Sequence, residues 1–300
     1  MTDVLITGAD GQLGMDCKSV LGARFRVTGA DIDRLDISSE SAVDEAVTTL
    51  RPDIILNCAA FTQVDACERQ YQAAWQANSE GPANLARAAA RAGARLVHIS
   101  TDYVFDGKKP VPEPYTEADR PNPMSVYGST KLAGEERIME AGGDYVILRT
   151  AWLYGLHGSN FIRTILNKAL NEPQARLSVV DDQYGSPTWS RQLAIQIDRL
   201  LATGAHGLYH ASAEGYGTWY ELAAALLREM GISCRVDPCT TAEYPTPAAR
   251  PKNSILENRR LKAEGINMMQ DWQRALRQFL SEHGRELAAS FSGKSRGSGS

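Results

Sequence analysis

The chain opens on a short apolar run, Val4-Leu5-Ile6, that passes directly into Gly8, Gly11 and Gly14. A strand that ends in a GxxGxxG turn and continues into a helix-compatible stretch, here Gln12 to Gly22, has few folds open to it. The glycines let the backbone turn tightly. The first helical N–H groups and the positive end of the helix dipole then face the turn, as a pyrophosphate requires. A second strand, Phe25 to Ala30, ends in Asp31. That is about 20 residues past Gly11, where a carboxylate accepts hydrogen bonds from ribose hydroxyls. A Gly-rich turn beside an unrelated Asp is the bland alternative, and it does not account for the whole succession.

The alternation continues along the chain. Ser39 to Leu50 reads as a helix capped by Ser38 or Ser39. Asp53 to Ala60 reads as a buried strand ending in small residues, and Tyr71 to Ala92 as one Ala-rich helix. Leu96 to Thr101 and Tyr145 to Arg149 are further strands, and Pro110 to Pro123 is a loop. Repeated βα units predict an α/β fold of Rossmann type, a doubly wound parallel sheet with helices on both faces. Past Trp152 the rhythm loosens, which predicts a smaller mixed α/β substrate domain. The expected division gives residues 1–151 to the dinucleotide-binding domain, with a return segment near 186–206. Residues 152–185 and 207–285 form the substrate domain, closed by a helix from Asp271 to Ser281, and the Gly/Ser-rich 291–300 is expected to be a disordered tail.

Composition narrows the function. A chain of 300 residues, 43% hydrophobic, can bury a large core. The formal net charge is −4 with no long basic block, so nothing calls for nucleic acid or an anionic membrane. No apolar run approaches the roughly 20 residues of a membrane span, and the start lacks a signal peptide's regions. Five cysteines without a CxxC pair suggest reduced thiols in a cytoplasmic protein, and five histidines show no metal-ligand spacing.

Tyr127 and Lys131 stand four apart, on one face of a helix. An ammonium about 5 Å from a phenol, at an effective dielectric of about 20, favours the phenolate by roughly 3 kcal/mol, or roughly two pKa units. That brings a phenol towards acid–base range. An exposed Tyr and Lys on a solvated helix is the alternative.

Gly8-x-x-Gly11-x-x-Gly14, Asn57-Cys58-Ala59-Ala60, Ser100 to Gly107 and Tyr127-x-x-x-Lys131 together resemble the extended short-chain dehydrogenase/reductase superfamily. Val126 to Glu135, Arg149 to Tyr154, Asp182 to Thr188 and Tyr244 to Ser254 narrow the resemblance to the dTDP-4-dehydrorhamnose reductase family. The resemblance implies NAD(P)H-dependent reduction of the C4 keto group of dTDP-4-dehydro-L-rhamnose to dTDP-L-rhamnose, for cell-surface polysaccharide. It implies that Tyr127 donates the proton, that Lys131 holds the nicotinamide ribose, and that Thr101 orients the carbonyl. Cofactor contacts are expected from Gly8, Gly11, Gln12, Leu13 and Gly14 in the turn, and from Asp31, Asp36 and Ile37 after the second strand. Ala60, Phe61 and Thr62 follow the third strand, and Tyr127 and Lys131 complete the set.

Substrate contacts are expected from Thr101, Asp102, Tyr103, Trp152, Asn160, Arg250 and Asn253. An Arg in the Pro-rich loop around 250 can grip a diphosphate through two parallel hydrogen bonds, and Trp152 can pack on a sugar ring. A surface Arg in a rigid turn and a core Trp are the alternatives. Asp31 repels a 2′-phosphate and Arg34 can offset it, so NADPH and NADH both stay open. Some enzymes that the chain resembles are dimers bridged by Mg²⁺ through glutamates. The matching positions here are Asp16 and Arg191, and an Arg cannot ligate a cation. The expectation is no bridging metal, with a monomer or a dimer built differently. Two rivals stand beside this reading: another NDP-sugar epimerase/reductase, and a non-catalytic NADP-binding subunit resembling the methionine adenosyltransferase β subunit.

Overall fold

In the computed structural model, which describes residues 1–292 apart from 173 and 175, six strands form one parallel sheet. They are β1 (Asp3–Thr7), β2 (Arg26–Ala30), β3 (Ile54–Asn57), β4 (Arg95–Thr101), β5 (Tyr145–Thr150) and a sixth strand, Gly207–His210. The order across the sheet is sixth, β5, β4, β3, β1, β2. Both faces are covered, and successive side chains serve opposite faces. Val4 and Ile6 pack with Leu13 and Leu21 of α1 (Gln12–Leu21) and with Leu193 and Ile197 of helix Ser190–Leu201. Leu5 packs the other way, with Val43 and Val47 of α2 (Glu40–Leu50), Leu85, and Ile138 of helix Val126–Ala141. Each such fully buried aliphatic side chain contributes roughly 1.5–3 kcal/mol of burial energy.

The strand order reverses beside β1. The chain leaves β1 for the edge at β2, then returns to β3 on the other side. In a sheet of this kind the crevice beyond the C-terminal ends of those two neighbours is where a ligand binds. Gly8, at φ +64°, makes the turn there, and a Cβ on it would lie 2.6 Å from the Ala59 backbone nitrogen. Only glycine lets the two loops close this tightly.

Several sequence expectations are corrected. Tyr71–Ala92 is not one α-helix: a π-helical turn, Gln76–Glu80, separates Tyr71–Trp75 from Gly81–Ala92. Pro82 has no N–H for the carbonyl four residues back, and its ring would crowd that carbonyl, so the helix widens there. The freed Asn78 carbonyl meets helix Val126–Ala141 at Gly134, where a Cβ would come within 2.2 Å. The third strand stops at Asn57 rather than Ala60. Strand Gly207–His210 pairs with β5, so this part of 207–285 belongs to the main sheet rather than the smaller unit.

The second core gathers Ile162, Leu166, Leu226, Phe279 and Leu287 from helices Phe161–Asn171, Trp219–Glu229 and Trp272–Ser292. Thr218 starts the middle helix through a capping box with Glu221. The closing helix runs on to Ser292, taking in the first two residues of the expected tail; 293–300 lie outside the described residues. Among the described residues no helix is long and apolar enough to cross a membrane.

Candidate active site

The glycine turn delivers α1 with its N-terminus open. Gly11 is the N-cap and offers no side-chain cap, and the first turn carries no acid. A Cβ on Gly14 would strike the Gly8 carbonyl at 2.2 Å, so this glycine lets the helix pack on the turn. A Cβ on Gly11 would meet only the Gly8 oxygen, at 3.2 Å. These features fit a dinucleotide pyrophosphate, held by free N–H groups at the end of a helix dipole. Asp31 Oδ2 accepts from the Asp10 N–H at 3.0 Å, which ties the end of β2 to the turn.

Other expected cofactor residues meet the site through backbone more than side chain. Leu13 points into the core. Asp36 accepts from the Ser38 N–H and hydroxyl at 2.9 and 2.7 Å. Ile37 is buried and its carbonyl accepts from Asn84 at 2.9 Å. After β3, Ala60 and Phe61 are half-buried and Thr62 is exposed.

At the end of β4 the chain presents Thr101, Asp102 and Tyr103. Helix Val126–Ala141 starts beside them, capped by Ser125, whose hydroxyl accepts from the Gly128 N–H at 3.2 Å. Gly128 permits the approach: a Cβ there would lie 2.2 Å from the Tyr103 carbonyl oxygen. Tyr127 and Lys131 therefore share one helix, as the spacing predicts. The Thr101 hydroxyl donates to Asp102 Oδ1 at 3.0 Å and accepts from the Tyr103 N–H at 3.1 Å, and the Tyr103 ring meets the Tyr127 ring edge-on at 5.6 Å.

The electrostatics differ from expectation. Burial pushes the Tyr127 phenol up, and Lys131 is not among the groups that chiefly act on it. The Lys131 amine instead donates to the Ile99 carbonyl at 2.7 Å and lies 3.2 Å from His98 Nε2. Burial pulls Lys131 down to about 8. Desolvation weighs against both charged forms and outweighs any lowering of the Tyr127 pKa by a neighbouring ammonium. Asp102 is 2% exposed; burial raises its carboxyl to about 6, and its Oδ2 has no hydrogen bond of good geometry.

The other expected substrate residues divide. Arg250 pairs with Asp65, Nη2 to Oδ2 at 2.9 Å, and borders a cavity of about 650 Å³ with Lys108, Lys109, Lys252 and Tyr184. Trp152 sits at φ +47° and stacks on Trp219 with ring centroids 3.5 Å apart, so that face of the indole is covered. Asn160 caps helix Phe161–Asn171 and donates to Gln12 Oε1 at 2.7 Å, which joins a substrate candidate to a cofactor candidate. Asn253 is a correction. It is fully buried, donates to the Lys109 and Glu113 carbonyls and accepts from the Ile255 N–H. Turning it to a substrate would strand buried backbone groups, so it braces two loops.

Two supporting groups escaped the sequence. Glu135 and Arg149 form an ion pair at 2.6 Å, 0% and 3% exposed, with the Ser100 hydroxyl donating to Glu135. It pins the Tyr127 helix to β4 and β5. Asn78 clamps the Phe61 backbone from both sides and donates to Thr130. The Gly81-Pro82 pair inside an Ala-rich run was the visible signal for that π-turn.

A parallel sheet reversing at β1, an open helix N-terminus at that reversal, and a Tyr/Lys helix packed against the Thr101 strand end define a Rossmann-type protein of the short-chain dehydrogenase/reductase class. More narrowly, the chain belongs to the family described as RmlD substrate binding domain, whose model matches residues 1–285. It is 40% identical over 283 residues to the spore coat polysaccharide biosynthesis protein SpsK of Bacillus subtilis, covering 94% of this chain and 98% of that protein. It is 41% identical to the dTDP-4-dehydrorhamnose reductase of Streptomyces griseus, with 91% of each chain covered. The crystal structure of dTDP-4-dehydrorhamnose reductase from Bacillus anthracis in complex with NADP superimposes with a TM-score of 0.91 at 39% identity, covering 94% of this chain and all of that one.

Proposed function

We propose that this protein reduces the C4 ketone of dTDP-4-dehydro-L-rhamnose to dTDP-L-rhamnose, with NADPH or NADH, in the cytoplasm, for cell-surface polysaccharide. One observation carries the reading: helix Val126–Ala141 seats Tyr127 against the Thr101–Tyr103 strand end, where Gly128 lets the helix approach and the Tyr103 ring meets the Tyr127 ring. The nicotinamide, when bound, supplies the hydride. Gly8, Gly11 and Gly14 let the α1 N-terminus hold the pyrophosphate, and Asp31 accepts from the ribose. Thr101 orients the ketone oxygen. Tyr127 gives its proton to that oxygen as negative charge develops, a step worth roughly 10²–10⁴-fold. Burial raises its pKa, so the phenol carries its proton at neutral pH.

Asp102, at the same strand end as Thr101, accepts from a sugar hydroxyl. Arg250, with Lys108 and Lys252 on the same cavity, holds the diphosphate. The substrate is taken between the 1–151 unit and the smaller one. The chain works as a monomer, or as a dimer without a bridging metal, because Arg191 stands beside Asp16 where cation ligands would be needed; a solution mass that falls on adding EDTA contradicts this. The functional test is incubation with dTDP-4-dehydro-L-rhamnose and reduced cofactor, with the product sugar identified. An epimerised ketone indicates an epimerase, and cofactor bound without being consumed indicates a binding subunit.

A further inference from the structure

Four buried polar side chains run in a line beneath the site: Thr7, Asn57, His98 and Lys131, at 1%, 1%, 0% and 2% exposure. Donor and acceptor roles along the line are set from one end. Asn57 Oδ1 accepts from the Thr7 hydroxyl at 2.8 Å and from the Ala59 N–H at 3.0 Å. A backbone N–H can only donate, so the Asn57 carboxamide cannot be reversed. Its NH₂ group therefore faces His98 Nδ1, 2.9 Å away. Nδ1 accepts, and a neutral His98 carries its hydrogen on Nε2. Burial keeps His98 neutral. That Nε2 lies 3.2 Å from Lys131 Nζ, whose own donation goes to the Ile99 carbonyl at 2.7 Å. An N–H aimed at Nζ needs a lone pair there, which an amine has and an ammonium lacks.

We propose that His98 is a positioning residue for the reduction, which, through the tautomer Asn57 imposes on it, favours the neutral amine of Lys131 and sets the pH at which that side chain takes up a proton. The inference rests on Tyr127 and Lys131 being the reacting pair. Three groups face Lys131 besides its Ile99 acceptor. Glu135 on its own helix and Cys58 after β3 favour the charged form, and His98 Nε2 on β4 lies 3.2 Å from its nitrogen. Protonating Lys131 forces a choice. Either His98 moves its hydrogen to Nδ1 against the Asn57 NH₂, or Asn57 turns that NH₂ on Ala59. Each leaves two buried donors facing one another. A lysine tuned in this way changes charge one helical turn from Tyr127.

The test follows the Lys131 Nζ and the His98 ring nitrogens by NMR in the ligand-free protein, for the wild type, His98→Gln and Asn57→Asp. The wild type is expected to carry the His98 hydrogen on Nε2. In His98→Gln the new amide can offer its oxygen to the ammonium without adding charge. In Asn57→Asp the carboxylate accepts an Nδ1 hydrogen and frees Nε2 to accept from Lys131. Both variants are expected to raise the Lys131 midpoint by about one pH unit or more. The corresponding limb of the kcat profile moves the same way. A wild-type hydrogen on Nδ1, or an unmoved midpoint in His98→Gln, overturns the proposal. If His98→Gln does not fold, the ring nitrogen that carries the wild-type His98 hydrogen decides. Failure of the wild type to reduce the keto-sugar overturns the functional reading instead, and leaves the titration to be judged separately.

Discussion

Arg250 meets Asp65, 185 positions away, through both ends of its guanidinium: Nη1 to Oδ1 at 3.1 Å and Nη2 to Oδ2 at 2.9 Å. The pair joins the Pro-rich loop to the short helix Val64–Cys67 beside the expected nicotinamide crevice. A diphosphate reaching Arg250 competes with a carboxylate already in place. Charge-assisted hydrogen bonds of this kind are worth about 1.5–3 kcal/mol, so Arg250→Ala is expected to raise KM for the nucleotide-sugar by roughly 10- to 100-fold with a smaller change in kcat. Steady-state kinetics at saturating cofactor measures this. An unchanged KM would leave Arg250 as a strut between two loops.

The Glu135–Arg149 pair is buried at both ends. Removing one partner leaves an uncompensated charge, which costs about 3–5 kcal/mol. Glu135→Ala should therefore lower the free energy of unfolding by about that amount in denaturant titration. A loss below 1 kcal/mol would show that water or relaxation satisfies Arg149. Replacing both residues by apolar side chains of similar volume should recover most of the loss.

Acid should destabilise the protein before its carboxylates dominate. Burial lowers the His98 and His210 pKa values, His210 to about 3. A depressed folded pKa gives stability that is complete above the unfolded value of 6.5 and is lost as pH falls towards the folded one. Asp102, raised to about 6, acts oppositely: its contribution is full below the unfolded 3.8 and is lost as pH rises through 6. On going from about pH 6 down to 4 the two buried histidines lose stability, and the raised Asp102 and Asp16 carboxyls offset part of that loss. Urea midpoints across that range check the sign, and a flat profile would contradict the buried neutral histidines.

The features legible in the sequence are the local ones. The Gly8 turn, α1, the Ser39 cap and the Tyr127/Lys131 helix face each depend on residues within a few positions, so spacing and propensity suffice. What escaped depends on contacts that spacing does not encode. The partner of Lys131 is His98, 33 residues away on a strand where it reads as one more buried position. Asp65 was not a candidate at all, because its role exists only when Arg250 arrives. Asn253 failed differently: an Asn beside an Arg reads as a ligand, yet its amide is fully used by backbone. Trp152 is intermediate, since its strand-end position was legible but its stacking on Trp219 was not.

The central claim is that Tyr127 donates the proton to a sugar ketone. The measurement is oxidation of reduced cofactor on adding dTDP-4-dehydro-L-rhamnose, followed for the wild type and Tyr127→Phe, with cofactor binding titrated separately. The account predicts stoichiometric oxidation and dTDP-L-rhamnose formation by the wild type. It predicts loss of turnover by at least about 100-fold in Tyr127→Phe, with cofactor affinity retained. Near-normal turnover in the variant would contradict it.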